Sequence, residues 1–423
     1  MASRPPFRAS VPKNPVEITL DGKVLVAEEG EPVAAALVAA GAIGLARSPK
    51  FHRPRGPACM RGACDGCLMR VDGAPNVMTC LAPARAGTVV ASQNTLGSRK
   101  LDLLRMTDWF FPDGMNHHEL FAGVPGVQNV MQAFARRVAG LGRVPEAVRA
   151  PRTAVRRSLD VLIVGGGPAG LAAATAFHKK GRRVEVVDDG LVAGGSLRGL
   201  SDVAAVKELW ALIAPALTGD VTVRTSTVAA AVYGDGVLVV GPAVTELLEA
   251  RTLVLAPGAH DGVIPFDGND LPGIYSARAA LQLLGQGVAV GGRVTVAIAP
   301  GGGPFGEIFA DEVRRRELPM EVELVRGLPR SAAGSSRAKE VSFEGAPKPH
   351  KVDALLVDAV RAPAYELCAQ AGALLEHAPS GFVVRTNAGG RIAEGVWALG
   401  EVTGAPLDAE RIRCDVAALV ETA

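Results

Sequence analysis

Four of the chain's six cysteines fall between residues 59 and 80, spaced C-x4-C-x2-C-x12-C. No other feature of the 423 residues restricts the fold as sharply. An iron–sulfur cluster needs thiolates that converge within a few ångströms. A short loop carrying Cys59, Cys64 and Cys67 supplies three, and Cys80 arrives from a later element. Gly62 and Gly66 let the backbone wrap the sulfides and aim N–H groups at them. The C-x4-C-x2-C start is the plant-type [2Fe-2S] pattern. Zinc prefers paired C-x2–4-C knuckles, for which Cys59 and Cys64 are awkwardly spaced. The gap to Cys80 accommodates one hairpin turning at Asp72-Gly73. In a reducing interior such a cluster of cysteines reads as metal ligands rather than disulfides. Cys368 and Cys414 stand alone in apolar surroundings and read as inert packing residues.

A second signature starts at Gly165. The apolar strand 159–164 runs into Gly165-Gly166-Gly167-Pro168-Ala169-Gly170 and an Ala-rich helix. This is G-x-G-x-x-G between strand and helix. Gly165 permits the tight turn, Gly167 lets a pyrophosphate reach the N–H groups of the helix start, and Gly170 allows close helix–strand packing. The next strand, 184–187, ends at Asp188, an acid placed to accept from ribose hydroxyls. Gly195 and Ser196 follow, placed to pass the pyrophosphate or the isoalloxazine. Gly400 and Glu401 are placed to set backbone and a carboxylate beside a ribityl chain. A second G-x-G-x-x-G, Gly301 to Gly306, follows the strand 293–299. Its next strand ends at Arg326 rather than at an acid, leaving two readings open: an NAD(P) site, with Arg326 meeting a 2'-phosphate, or a structural turn.

Composition narrows the class. A formal net charge of +2 offers no footing for nucleic acid or another polyanion. No apolar run reaches a membrane span, and residues 1–13 lack a signal-peptide core, so a cytoplasmic location is expected. Residues 16–26 read as a hairpin, 31–40 as a helix, and 68–72 and 88–92 as strands of one small module ending near residue 98. Residues 127–141 read as a helix, 143–157 as a Pro- and Arg-rich linker, and 331–349 as an exposed excursion. His52, Arg53 and Arg55 are placed to meet a phosphate or neighbouring carboxylates. His117-His118 reads as polar surface, and Trp109-Phe110-Phe111 as core packing or a partner contact.

These pieces together resemble the α-type subunits of the heteromeric sarcosine oxidase family, in the branch of opine oxidases, hydrogen cyanide synthase and hydroxyproline or proline dehydrogenases. Phe51-His52-Arg53-Pro54-Arg55-Gly56 resembles that family's His-Arg-Pro-Arg-Gly signature. Phe111-Pro112-Asp113-Gly114-Met115 is similar to its aromatic segment. Ala256-Pro257-Gly258-Ala259 resembles the Ala-Thr-Gly strand end of two-dinucleotide flavoproteins, which places Ala256 and Gly258 at the flavin. Leu271-Pro272-Gly273-Ile274-Tyr275 resembles the entry to the central domain, and Gly400-Glu401 the usual Gly-Asp. No counterpart of the folate-linked domain of the long sarcosine oxidase α-type chain is apparent.

The resemblance implies an α/β two-dinucleotide-binding-domain flavoprotein preceded by a small ferredoxin-like α+β domain. Its parts would be residues 1–98 (ferredoxin-like), 99–158 (connector), 159–270 with 380–423 (FAD) and 271–379 (NAD(P)-like). It implies FAD and a [2Fe-2S] cluster, with NAD(P), and FMN at a subunit interface, as further candidates. The expected role is an electron-transferring subunit of an amine or amino-acid dehydrogenase or oxidase, in a hetero-oligomer with an FAD-containing substrate-oxidising subunit, joined by further small subunits. Two other readings stay open: a self-contained NAD(P)H:acceptor oxidoreductase, and a non-catalytic scaffold subunit.

Overall fold

The computed structural model describes residues 6–110, 126–127, 129–130, 133, 150–219 and 221–423. Phe111, His117, His118 and most of the expected helix 127–141 lie outside the described residues.

The N-terminal module is a five-stranded mixed sheet in the order Lys23–Glu28, Pro15–Leu20, Val89–Ala91, Leu68–Val71, Ala74–Met78. Asp21 and Gly22 both take positive φ, turning the first hairpin as expected. The helix Val33–Ala39 is apolar on every side and buried at every residue, as a helix without a polar face must be. Complete burial of Leu37 or Val38 is worth about 1.5–3 kcal/mol each. The helix ends where Gly41 turns left-handed, with Ala42 N–H bonded to Leu37 O and Gly41 N–H to Val38 O. Residues just past 98 are tied back to the module. Buried Asp102 accepts from His52 Nδ1 at 3.1 Å and from Leu96 N at 2.9 Å.

The second sheet carries parallel strands Thr222–Arg224, Val184–Val187, Val155–Val164, Thr245–Leu255 and Val396–Ala398. Val228–Tyr233 and Gly236–Val240 extend it as an antiparallel meander. The strand Val155–Val164 starts inside the segment expected to be linker: Val155, Arg156 and Arg157 pair with Glu246, Leu247 and Leu248. Sequence periodicity missed it because its first half is not buried, only the last four residues being so. Arg157 is held instead by Glu185 at 2.8 Å and Glu246 at 2.9 Å.

The third sheet is wholly parallel, in the order Ile274–Ser276, Ala354–Asp358, Arg293–Ile298, Glu321–Arg326. Residues 331–349, expected as an excursion, contribute to a three-stranded antiparallel sheet of Pro329–Ala333, Glu340–Phe343 and His350–Lys351. Val341 and Phe343 alternate inward there, while the connections and one face of the strands, including Arg330 and Ala333, are exposed. Residues 364–379, grouped by sequence with the central unit, pack on the second sheet: Cys368 is buried with Leu162, Val187 and Val384. Cys414, expected to be buried, is exposed on the helix Ala409–Thr422.

One continuous core joins the N-terminal module to the rest, with Leu37, Cys67, Leu171 and Leu284 in the same apolar cluster. Backbone bonds seal the seam, Ala289 N to Phe7 O at 2.8 Å and Ser276 N to Ala58 O at 2.9 Å. The ion pair Arg55–Asp270 crosses it.

Candidate functional site

The cysteine loop is shaped by what its glycines exclude. A Cβ on Gly66 would lie 1.9 Å from Gly56 O, so only glycine lets the loop lie against the backbone of Gly56. Gly62 has φ +77°, and a Cβ there would meet Leu81 Cδ1 at 2.6 Å. The result brings all four thiols together. Cys59 and Cys64 Sγ are 3.3 Å apart, Cys67 and Cys80 share a hydrogen bond, and the pairs face each other across the loop. Cys59, Cys67 and Cys80 are buried. Gly62 N–H donates to Cys80 Sγ at 3.2 Å, so a backbone donor does aim at sulfur. Within the first pair, the hydrogen bond from Cys59 lowers Cys64 to about 6 and raises Cys59. Within the second, the same sharing lowers Cys67 and raises Cys80. Two couples of thiols, each with one member whose proton is readily lost, match a binuclear cluster with two ligands per iron.

His52, Arg53 and Arg55 meet carboxylates rather than a phosphate. Buried His52 bonds Asp102, Arg53 pairs with Asp108 at 2.7 Å, and Arg55 with Asp270.

A cleft with about 1250 Å³ of open space lies at the C-terminal end of the second sheet. Gly165, Gly167, Pro168, Ala169, Asp188, Gly195, Ser196, Ala256, Gly258, Gly400 and Glu401 all line it. Gly170 does not; it does the packing work assigned to it, since a Cβ there would sit 2.0 Å from Gly165 O. Gly165 turns at φ +108°, and a Cβ would strike Ala256 O at 2.1 Å. Gly167 differs: a Cβ there would meet only Gly195 Cα, at 3.9 Å, because it faces the cleft. The helix Pro168–Lys179 behind it has no side chain capping its start. Its first N–H groups and its positive dipole end therefore face the cleft, the arrangement that takes a pyrophosphate. Asp188 is buried and accepts from Gly166 N at 2.7 Å and Gly190 N at 2.9 Å. This fixes both carboxylate oxygens at the mouth of the turn. The cradle fits a flavin dinucleotide, and the thiol set fits [2Fe-2S].

The second glycine turn has the same sequence pattern but a different state. Asp358, at the end of the neighbouring strand, accepts from Gly303 N at 3.1 Å and Gly306 N at 2.7 Å. A carboxylate thus uses N–H groups that a dinucleotide phosphate would need. Burial pushes Asp358 up to about 6. Cβ atoms on Gly301 and Gly302 would strike Val360 Cγ2 at 2.9 Å and Asp358 O at 2.4 Å, so these glycines are required by strand packing. Arg326, the candidate 2'-phosphate residue, is ion-paired with Glu307. The two turns are connected: Glu401 in the cleft binds Arg361 at 2.9 Å, and the Arg361 guanidinium lies 4.9 Å from the Phe305 ring centroid.

Sequence reasoning missed the cleft's arginines. Arg61, between Cys59 and Cys64, reaches the cleft wall and donates to Ala259 O. Arg278 donates to Ser196 Oγ at 3.0 Å and pairs with Asp261 at 2.8 Å. Arg198 bonds Gly195 O at 3.2 Å, and Gln282 bonds the same oxygen at 3.0 Å. A charged side chain inside a cluster loop was the one local hint.

Comparison with known proteins fits this geometry. The family "2Fe-2S iron-sulfur cluster binding domain" matches residues 13–95, and "Pyridine nucleotide-disulphide oxidoreductase" matches residues 159–343. The alpha chain of sarcosine oxidase from Rhizobium meliloti (strain 1021) is 32% identical over 322 residues, 68% of this chain and 32% of that one. The chain is a homologue of the alpha chains of sarcosine oxidase. An opine oxidase subunit from Agrobacterium tumefaciens (strain Ach5) is 30% identical over 191 residues, covering 38% of this homologue and 35% of that protein. The homologue spans about a third of the length of these curated relatives. Its fold is shared with L-proline dehydrogenase from P. horikoshii, at a TM-score of 0.74 and 21% identity, over 99% of this chain and 76% of that one. It is an oxidoreductase-family chain with a [2Fe-2S] domain and a flavoprotein domain.

Proposed function

We propose that this chain is the electron-transferring FAD/[2Fe-2S] subunit of a heteromeric amine or amino-acid dehydrogenase or oxidase, working in the cytoplasm. One observation carries the reading. The loop that gathers three thiols also sends Arg61 into the wall of the dinucleotide cleft, so the two candidate centres share a loop. Cys59, Cys64, Cys67 and Cys80 would hold the cluster. Gly165, Gly167 and Ala169 would receive the pyrophosphate, with Gly170 closing the turn behind them. Asp188 would take the ribose. Gly195, Ser196, Ala256, Gly258, Gly400 and Glu401 would flank the rest of the FAD.

FAD accepts an electron pair and releases electrons singly, and the cluster takes them one at a time. The chain's own groups bind, orient and exclude water. Asp188 is pre-aimed by two backbone donors, Arg278 fixes Ser196, and Glu401 is steadied by Arg361. None of these needs to move a proton. The relatives are named as subunits, in keeping with a partner chain that oxidises the substrate's C–N bond on its own flavin. Asp358 in the second turn argues against NAD(P)H as the electron source.

The test is purification of the chain with the products of its neighbouring genes, followed by flavin and iron analysis of each subunit. The reading expects FAD and a binuclear cluster on this chain and a second flavin on a bound partner. A fully loaded chain that binds no partner and is bleached by NAD(P)H would refute it.

A further inference from the structure

Arg61 links the cysteine loop to the cleft wall. It stands two residues after Cys59 and three before Cys64, yet its guanidinium donates to Ala259 O and lines the cleft with Ser196, Arg198 and Arg278. It is half-buried and lines the cleft. Its guanidinium is cationic at neutral pH, as arginine is throughout proteins. Asp261 and Asp189 face it with opposite charge and Arg198 with like charge. Keeping a cation there, with other arginines close by, is costly unless something negative arrives.

We propose that Arg61 is a positioning residue shared by both redox centres. Its charge raises the reduction potentials of cluster and flavin together, and its bond to Ala259 O docks the cluster loop on the flavin wall. Each reduction adds negative charge to its centre. A cation set in the cleft wall by the loop that carries three of the four thiols stabilises that added charge, directly at the flavin and through the shared loop at the cluster. The cation being anchored between two cluster ligands, cluster and flavin respond to the same group. This rests on the reading that FAD fills the cleft and [2Fe-2S] the cysteine loop.

The test is redox titration of the full chain, with iron and flavin contents measured first. Flavin is followed by visible absorbance and the reduced cluster by electron paramagnetic resonance. Arg61→Gln is expected to lower both potentials. At fixed applied potential, the reduced-to-oxidised ratio of the cluster should fall about tenfold, which is about 59 mV for a one-electron couple. Arg61→Lys, which keeps the charge, should restore most of both shifts. Unchanged potentials in R61Q with normal iron and flavin would overturn the proposal, as would a shift confined to the cluster or an equal shift in R61K. If R61Q holds no iron, its flavin potential is compared with that of wild type stripped of iron. A fall supports the proposal and no change overturns it. Wild-type protein lacking iron or flavin would instead refute the underlying cofactor reading.

Discussion

Replacing Gly66 with alanine tests how the cluster loop is held. The new Cβ would fall 1.9 Å from Gly56 O and 2.8 Å from its carbonyl carbon. Ordinary contact begins near 3.4 Å, so about 1.5 Å of separation must be found. Gly56 cannot supply it. That residue is wedged between Ile43 O and Pro272 Cα, which a Cβ on Gly56 would meet at 2.8 and 3.0 Å. The loop carrying Cys64 and Cys67 must move instead. Overpacking of this kind costs about 1–3 kcal/mol, well inside a total stability of about 5–15 kcal/mol, so the chain still folds. Iron–ligand distances tolerate only about 0.2 Å, so the displacement falls on metal binding. At 1.4 kcal/mol per tenfold, the cluster should bind roughly 5- to 140-fold more weakly. Gly73→Ala is the control. Gly73 has φ +81° with nothing within 4 Å, so strain of about 1–2 kcal/mol should leave iron content untouched. Iron per chain and the visible spectrum after desalting read the result. A G66A protein with full iron and an unaltered spectrum would refute the argument that Gly56 pins the loop.

Other outcomes follow from the same geometry. Gly167→Ala should fold normally but lose FAD, because its Cβ would stand in the cleft, whereas Gly170→Ala should lose both FAD and some thermal stability through its clash with Gly165 O; flavin released on denaturation, with melting curves, separates them. Asp358 has its pKa raised by burial from an ordinary 3.8 to about 6. The folded state therefore binds more protons than the unfolded between those values, and this group's contribution falls as pH rises from about 4 to 6, by about 3 kcal/mol in all. Denaturant midpoints should show wild type losing stability relative to Asp358→Asn across that window; parallel pH profiles would count against a buried carboxylate in the turn. NADPH or NADH should not bleach the flavin of the isolated chain, as stopped-flow absorbance would show. In cluster-loaded protein a thiol reagent should modify exposed Cys414 quickly and buried Cys368, raised to about 12 by burial, hardly at all, as peptide mapping would show.

What the sequence revealed was local. The cysteine spacing and the first glycine turn are readable because ligand convergence and phosphate approach are decided within a few residues. The Asp21-Gly22 and Asp72-Gly73 turns were visible for the same reason. The remainder depends on distant partners. Asp358 reaches the second turn from 52 residues away, so that turn's G-x-G-x-x-G gives no sign of being filled. Arg61 meets Ala259 across 198 residues. Residues 155–157 became strand because Glu185 and Glu246 neutralise Arg157 while Asp235 and Glu249 neutralise Arg156, pairings that hydrophobic periodicity does not encode. Residues 364–379 look neutral in sequence, yet pack Cys368 and Leu375 against the second sheet. Cys414 shows the opposite error: it lies between Arg413 and Asp415, and its side of the helix is exposed.

The central claim is that flavin and cluster in this one chain form a single electron-transfer unit. Photoreduction of the flavin under anaerobic conditions, with the cluster followed by rapid-freeze paramagnetic resonance, tests it most directly. The account predicts a reduced-cluster signal that grows as the flavin reoxidises, at a rate independent of protein concentration. A cluster that stays oxidised, or one reduced at a rate proportional to concentration, would contradict it.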